Sequence, residues 1–291
     1  MSIPAVQVKQ LRDKSGAGMM DAKRALVACD GDMEAALDWL RTKGLAKAAK
    51  KSGRTAAEGL VGVAVDSGTA ALVEVNAETD FVANNKEFQQ LVREVSRAAL
   101  AVEDVDTLRA ARLGDGTVED AVVEKIATIG ENMSVRRMVR LEGEHVAHYI
   151  HNSVTEGLGK IGTLVAITGS DTVTARQIAM HVAASNPIAL SEENLDPSVA
   201  DREKTIIADQ ARQSGKPESA IEKITAGRWR KFREESILLD QKFVMNSDET
   251  VRTVAERTGI TIVGFARFEV GEGIEKEQED FAAEVAKAME G

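Results

Sequence analysis

The chain has 291 residues, 43% of them hydrophobic, and a formal net charge of −10. That length supports two domains or one large one with a real core, and the acidic balance argues against direct nucleic-acid binding, because phosphate recognition needs concentrated Lys and Arg. No apolar run approaches the roughly 20 residues that cross a bilayer, and the opening "MSIPAVQVKQLRDK" lacks a signal peptide's uninterrupted apolar stretch, so a soluble cytoplasmic protein with no membrane association is expected.

Residues 1–45 read as three short helices. Val8 and Leu11 mark the first stripe, "GAG" at 16–18 breaks it, and a second helix runs from Met19 to Ala28. "DGD" at 30–32 introduces a third, with Asp32 as its N-cap and Met33, Ala36, Leu37 and Leu40 on its apolar face. Cys29, the single cysteine, excludes an internal disulfide and a multi-cysteine zinc site, and its helical setting reads as a buried, inert thiol. A three-helix bundle this small resembles the ubiquitin-associated type of module. From Arg41 to Arg54, "RTKGLAKAAKKSGR" carries six basic residues and no acid. We read residues 46–58 within and beyond it as a solvated basic linker at a domain boundary, with contact to RNA or to an acidic protein surface as the alternative.

The pattern then changes to period two. "GLVGVAVDSGTAALVEVNA" places two apolar runs around "DSGT", a hairpin signal in which Gly68 supplies the positive φ of a tight turn. A helix follows, with Phe88, Leu91, Val92 and Val95 on one face and Asn84 and Glu87 spaced as a capping box. Residues 101–140 look helical, with Ile126, Ile129 and Met133 on one face. The strand, strand, helix order returns in "EHVAHYIHNSVTEGLGKIGTLVAITGS" and "TVTARQIAMHVAAS", which suggests two related α+β subdomains with antiparallel strands at 59–140 and 141–273. An insertion at about 195–240 reads as an antiparallel helical hairpin, or coiled coil, broken at "SGKP" and carrying Ile206, Ile207, Ile221 and Ile224. "ITIVGFARFEVGEG" is a further strand, and 274–291 ends in a helix, "EDFAAEVAKAM".

Catalytic and metal motifs are thin. "GLGKIG" at 157–162 matches G-x-G-x-x-G, yet strand text follows it where a dinucleotide site requires a helix, so a hairpin turn is expected. On a strand, His145 and His151 would share one face and His148 the other, so the three cannot converge on one ion. No Ser-His-Asp order, P-loop or catalytic carboxylate pair stands out, and no enzyme, metal or cofactor is expected. One stretch remains: in "EVNAETDFVANN" an acid and a large ring, Asp80 and Phe81, sit in a turn, where the ring either inserts into another protein or folds back on its own core.

"EVNAETDFVANN" resembles the second signature of the elongation factor Ts family, the guanine-nucleotide exchange factors for the translational GTPase elongation factor Tu. "LRDKSGAGMMDAKRAL" at 11–26 resembles the first, "KIATIGENMSVRR" at 125–137 a third stretch, and "RFEVGEGIEK" the family's C-terminal part. Ser15 stands where the family usually has Thr, and Ala77 where Cys, Ser or Val is usual. The resemblance implies that Thr79, Asp80, Phe81 and Val82 enter the GTPase domain of Tu and disturb its Mg²⁺ region, with Phe81 as the wedge. It also implies partner contacts at Arg12, Met19, Met20, Lys23, Ile129, Gly130 and His151. The hairpin matches the family's coiled-coil insertion, which leaves a homodimer or a heterotetramer with Tu open. A ubiquitin-associated adaptor and an RNA-binding translation accessory protein are the competing readings; neither accounts for the rest of the chain.

Overall fold

Residues 3–15, 17–213 and 217–275 are described by a computed structural model, which starts with helices α1 (Ala5–Ser15), α2 (Met19–Ala28) and α3 (Met33–Lys51). Val8, Leu11, Ala22, Ala25, Leu26 and Ala36 form their common core. The Asp32 carboxylate accepts from the Glu34 and Ala35 amides, both at 2.9 Å, and so starts α3. Cys29 is half-buried at the end of α2, not fully enclosed as expected.

The basic stretch departs from expectation, because α3 continues to Lys51 and only the residues after it leave the helix. Its Ala and Lys content favours helix, and three of its six basic residues pair with carboxylates of the chain. Arg41 pairs with Asp120 at 3.0 Å, Lys47 with Asp21 at 3.0 Å and Arg54 with Glu78 at 3.4 Å.

Strands β1 (Glu58–Asp66) and β2 (Thr69–Ala77) form the predicted hairpin, with both turn residues, Ser67 and Gly68, at positive φ (43° and 89°) as a twist-matched two-residue turn demands. A 3₁₀ turn, Asp80–Asn84, leads to α4 (Lys86–Ala98). The cap of α4 is Asn85, one residue beyond the expected Asn84: its side chain accepts from the Glu87 and Phe88 amides at 2.8 and 3.3 Å. Asn84 is spent in the preceding turn, and Glu87 pairs with Lys125 at 3.2 Å.

The stretch read as helical up to 140 is broken into α5 (Val105–Ala110), a two-residue ribbon of β3 (Arg112–Leu113) and β4 (Gly116–Thr117), α6 (Val118–Ile129) and β5 (Met133–Glu142). Gly130, at φ 94°, takes the left-handed conformation that stops α6, so Met133 opens a strand and shares no helix face with Ile126. Then come β6 (His145–Thr155), β7 (Leu158–Thr168), α7 (Thr172–Ser185), α8 (Pro197–Gln213), α9 (Glu218–Ser236), β8 (Lys242–Phe243), β9 (Asn246–Thr250), α10 (Val251–Thr258) and β10 (Thr261–Glu269). Ile207, Ala211 and Ile221 are buried between α8 and α9. Most of "SGKP" and the expected final helix lie outside the described residues.

The strands of both units join in one antiparallel sheet. β5 pairs with β2, β2 with β1, and β1 reaches β7 through Val61–Gly159 and Gly62–Leu158; β6 and β10 flank β7. One core, including Val75, Phe88, Leu91 and Ile126, lies beneath α4 and α6. Another, including Val165, Ile178, Phe243 and Val254, lies beneath α7 and α10. Val61, Leu72, Leu164 and Ala266 form a third between the inner faces of the two halves. The "GLGKIG" glycines serve this packing: Gly157 turns between β6 and β7, and a Cβ on Gly162 would lie 2.6 Å from the Val61 side chain.

Candidate partner-binding site

β2 delivers the chain from the core to the 3₁₀ turn, where adjacent residues have opposite environments. Phe81 is 81% exposed, whereas Val82 and Ala83 are buried against Phe88 and Leu91. Phe81 therefore does not fold back on its own core. Leaving such a ring in water forgoes about 1.5–3 kcal/mol of burial that a partner's surface can supply. Asp80 is exposed beside it.

The turn is held at both ends. Downstream, the Asn85 amide donates to the Val82 carbonyl at 2.9 Å and the Gln89 side chain to the Ala83 carbonyl at 2.9 Å. Upstream, Thr79 donates twice to the Glu131 carboxylate, from its amide at 2.9 Å and from its hydroxyl at 2.6 Å. The exchange is reciprocal, because the Asn132 amide donates to the Glu78 carboxylate. The Asn132 side chain reaches the Arg54 carbonyl at 2.7 Å, and Lys51 at the end of α3 donates to the Gly130 carbonyl. Residues 79–82 and the Ile129–Gly130 step thus belong to one junction, with Gly130 exposed and Ile129 half-buried. Glu131, Glu78 and Asn132 carry no local sequence signal, since their partners lie 52 and 54 residues away.

The other expected contact residues lie on α1, α2 and β6. Met20, at 67% exposure, Lys23 and Val27 form an outward stripe on α2 opposite Ala22, Ala25 and Leu26, and Met19 is exposed next to it. Arg12 is exposed on α1, 3.8 Å from Asp13. His151 is exposed on β6, its Nδ1 3.1 Å from the Tyr149 hydroxyl. Strand geometry puts His145 and His151 on one face and His148 on the other, and no cluster able to hold a metal ion occurs among the described residues. No helix among them is long and apolar enough to cross a membrane.

Two further features escaped sequence reasoning. Val244 and Met245 form an exposed apolar tip between β8 and β9, seated on buried His181, whose Nδ1 accepts from the Val244 amide at 3.2 Å. His181 Nε2–H therefore donates to Gln241 Oε1 at 2.9 Å, which fixes the neutral tautomer. Burial lowers its pKa, against an opposing effect of the Gln241 hydrogen bond.

The second feature is Glu74, fully buried on β2, which accepts from Arg137 at 2.5 Å, Arg136 at 3.0 Å, Asn76 at 3.0 Å and the Gly271 amide at 2.8 Å. A bulge next to Glu74 in the β2–β5 ladder lets the consecutive arginines reach one carboxylate. Burial opposes ionisation of Glu74, but the Gly271 amide, Asn76 and Arg137 outweigh it and hold the carboxyl below the usual range. Both arginines also bind Glu272, so this group fixes where the chain leaves β10.

The insertion meets the core through Glu192, which accepts from Trp229 at 3.2 Å and Arg233 at 2.7 Å; Trp229 stacks on Phe232 and lies beneath Lys204.

The family model described as elongation factor TS matches residues 78–272, a span that includes Thr79, Glu131 and Gly271. Similar curated proteins include the elongation factor Ts of Dinoroseobacter shibae, 61% identical over 291 residues, and that of Ruegeria pomeroyi, 62% identical over 291 residues. The elongation factor Ts of Ruegeria sp. strain TM1040 is 61% identical over the same length, and in all three comparisons both chains are covered in full.

Proposed function

The chain belongs to the elongation factor Ts family, and on that premise we propose that it is a guanine-nucleotide exchange factor that binds elongation factor Tu·GDP and promotes GDP release and GTP rebinding during translation elongation. The observation that carries this reading is Phe81, exposed on a turn anchored on both sides. The ring enters the GTPase domain of Tu with Asp80 beside it, while Thr79, held by Glu131, and Val82, buried in the chain's own core, back the turn, and it disturbs the ligands of the Mg²⁺ that Tu holds with its nucleotide. Loss of that large local charge loosens GDP. Ile129 and Gly130 contact Tu beside the wedge, Arg12, Met19, Met20 and Lys23 contact it from the helical module, and His151 from β6.

No catalytic group is required, because the protein acts by binding. If it weakens GDP binding to Tu by some factor, GDP weakens its own binding to Tu by the same factor, so the ternary complex is transient. The RNA-binding alternative loses its main support, because Arg41, Lys47 and Arg54 of the basic stretch form ion pairs within the chain. An adaptor of the ubiquitin-associated type gives no role to the Phe81 turn. The α8–α9 hairpin, with Val199 and Ile206 exposed, is the surface for a homodimer or a heterotetramer with Tu. Sedimentation of the chain with and without Tu separates these two.

The direct test follows release of fluorescent GDP from Tu. Wild type is expected to accelerate it strongly, and Phe81→Ala and Asp80→Ala much less. An unchanged release rate with wild type defeats the exchange reading; full activity of Phe81→Ala defeats only the wedge.

A further inference from the structure

We infer that Glu131 is a positioning residue for Phe81, acting through Thr79 to pre-form the projecting turn; this rests on the exchange reading above. The β2–β5 ladder ends at the Ala77–Met133 pair, so beyond it neither chain segment has a strand partner. Two carboxylates take over. Glu131 accepts both donors of Thr79, and Glu78 accepts the Asn132 amide in return. Thr79 precedes the 3₁₀ turn without capping it by its own hydroxyl, which donates to Glu131.

With Val82 and Ala83 buried on the far side, Asp80 and Phe81 are the residues that project between two fixed points. Hydrogen bonds to an ionised acceptor are the stronger kind and suit such a clamp. A turn ordered before binding avoids the entropy loss of being ordered during it. Glu131 also adjoins Gly130, which Lys51 of α3 holds by its carbonyl, so the wedge, the Ile129–Gly130 step and the end of the helical module have one reference point.

Two measurements test this, on the intact chain alone and with Tu. In Glu131→Ala, amide hydrogen exchange at residues 79–84 should rise roughly tenfold or more, while α4 and the β1–β2 hairpin keep their protection. With Tu, the maximal rate of GDP release should fall roughly tenfold and the half-saturating concentration change less than about threefold, because the other contacts remain. The double variant Glu131→Ala/Phe81→Ala should be no slower than Phe81→Ala alone, since both changes remove one action. Glu131→Gln, which keeps one carbonyl acceptor, should fall between wild type and Glu131→Ala. Unchanged protection at 79–84, wild-type release by Glu131→Ala, or losses that multiply in the double variant each overturn the proposal. If wild type itself does not accelerate release, the exchange reading falls, and hydrogen exchange still decides whether Glu131 orders the turn.

Discussion

Val82 and Phe81 differ by one position, and that is enough to put one side chain in the core and the other in water. The same economy governs His181, a buried ring that supports an exposed apolar tip only while it is neutral, because its Nδ1 must accept from Val244. Its pKa in the folded chain is below the ordinary 6.5, so between the two values the unfolded chain binds a proton that the folded chain does not. Stability should therefore fall as pH drops below about 6.5. His148, whose pKa is lowered by burial and then by Arg176, acts in the same direction. Urea unfolding from pH 7.5 to 5.5 should show this slope, and His181→Gln should reduce it without abolishing it. Glu74 adds a second loss at lower pH: its folded pKa is below the ordinary 4.5, so its contribution is complete above that value and declines as pH falls through the folded pKa.

Helices and strands here depend on their ends as much as on their faces. The apolar stripe of α4 is plain in the sequence, but which asparagine caps it is decided by the turn that absorbs Asn84. Asn85→Ala should cost about 1 kcal/mol by urea denaturation, whereas Asn84→Ala should stay within about 0.5 kcal/mol. Equal losses at the two positions would contradict this assignment. The change from helix to strand at Met133 has a similar origin. Val, Met and Arg in "MSVRRMVRLE" suit helix or strand, and only the left-handed Gly130 and the waiting edge of β2 select the strand. The α3 extension shows the converse: Ala and Lys favour helix, and the opposite charges that the local run lacks come from Asp21 and Asp120, which are distant in sequence.

At the scale of the whole molecule, two hairpin-and-helix units share one sheet, and Glu74 ties the first unit to the segment that leaves β10. Three stretches of the sequence, around 74, 136 and 271, meet at that one carboxylate. Removing it strands Arg136 and Arg137, although both are partly exposed and can rehydrate. Glu74→Ala should therefore cost about 2–3 kcal/mol, less than the ~3–5 kcal/mol of a fully enclosed pair. Urea unfolding should remain a single transition with a nearly unchanged m-value, because the core between the halves still joins them. Two separate transitions would show instead that Glu74 is what makes the halves cooperative.

The sequence by itself determined the three-helix opening, the Ser67–Gly68 turn, the paired strand-strand-helix order and the helical insertion. These follow from apolar period, turn chemistry and caps, which act over a few residues. The tertiary structure decided that Phe81 points outward, that Glu131 holds Thr79 across 52 residues, and that Gly271 meets Glu74 across 197. A carboxylate's partner is whichever donor the fold brings within about 3 Å, and no local pattern encodes that distance. Phe81 is the clearest case: its spacing left insertion and self-burial both open, and its exposure in the folded chain, with Val82 and Ala83 buried next to it, removed the second.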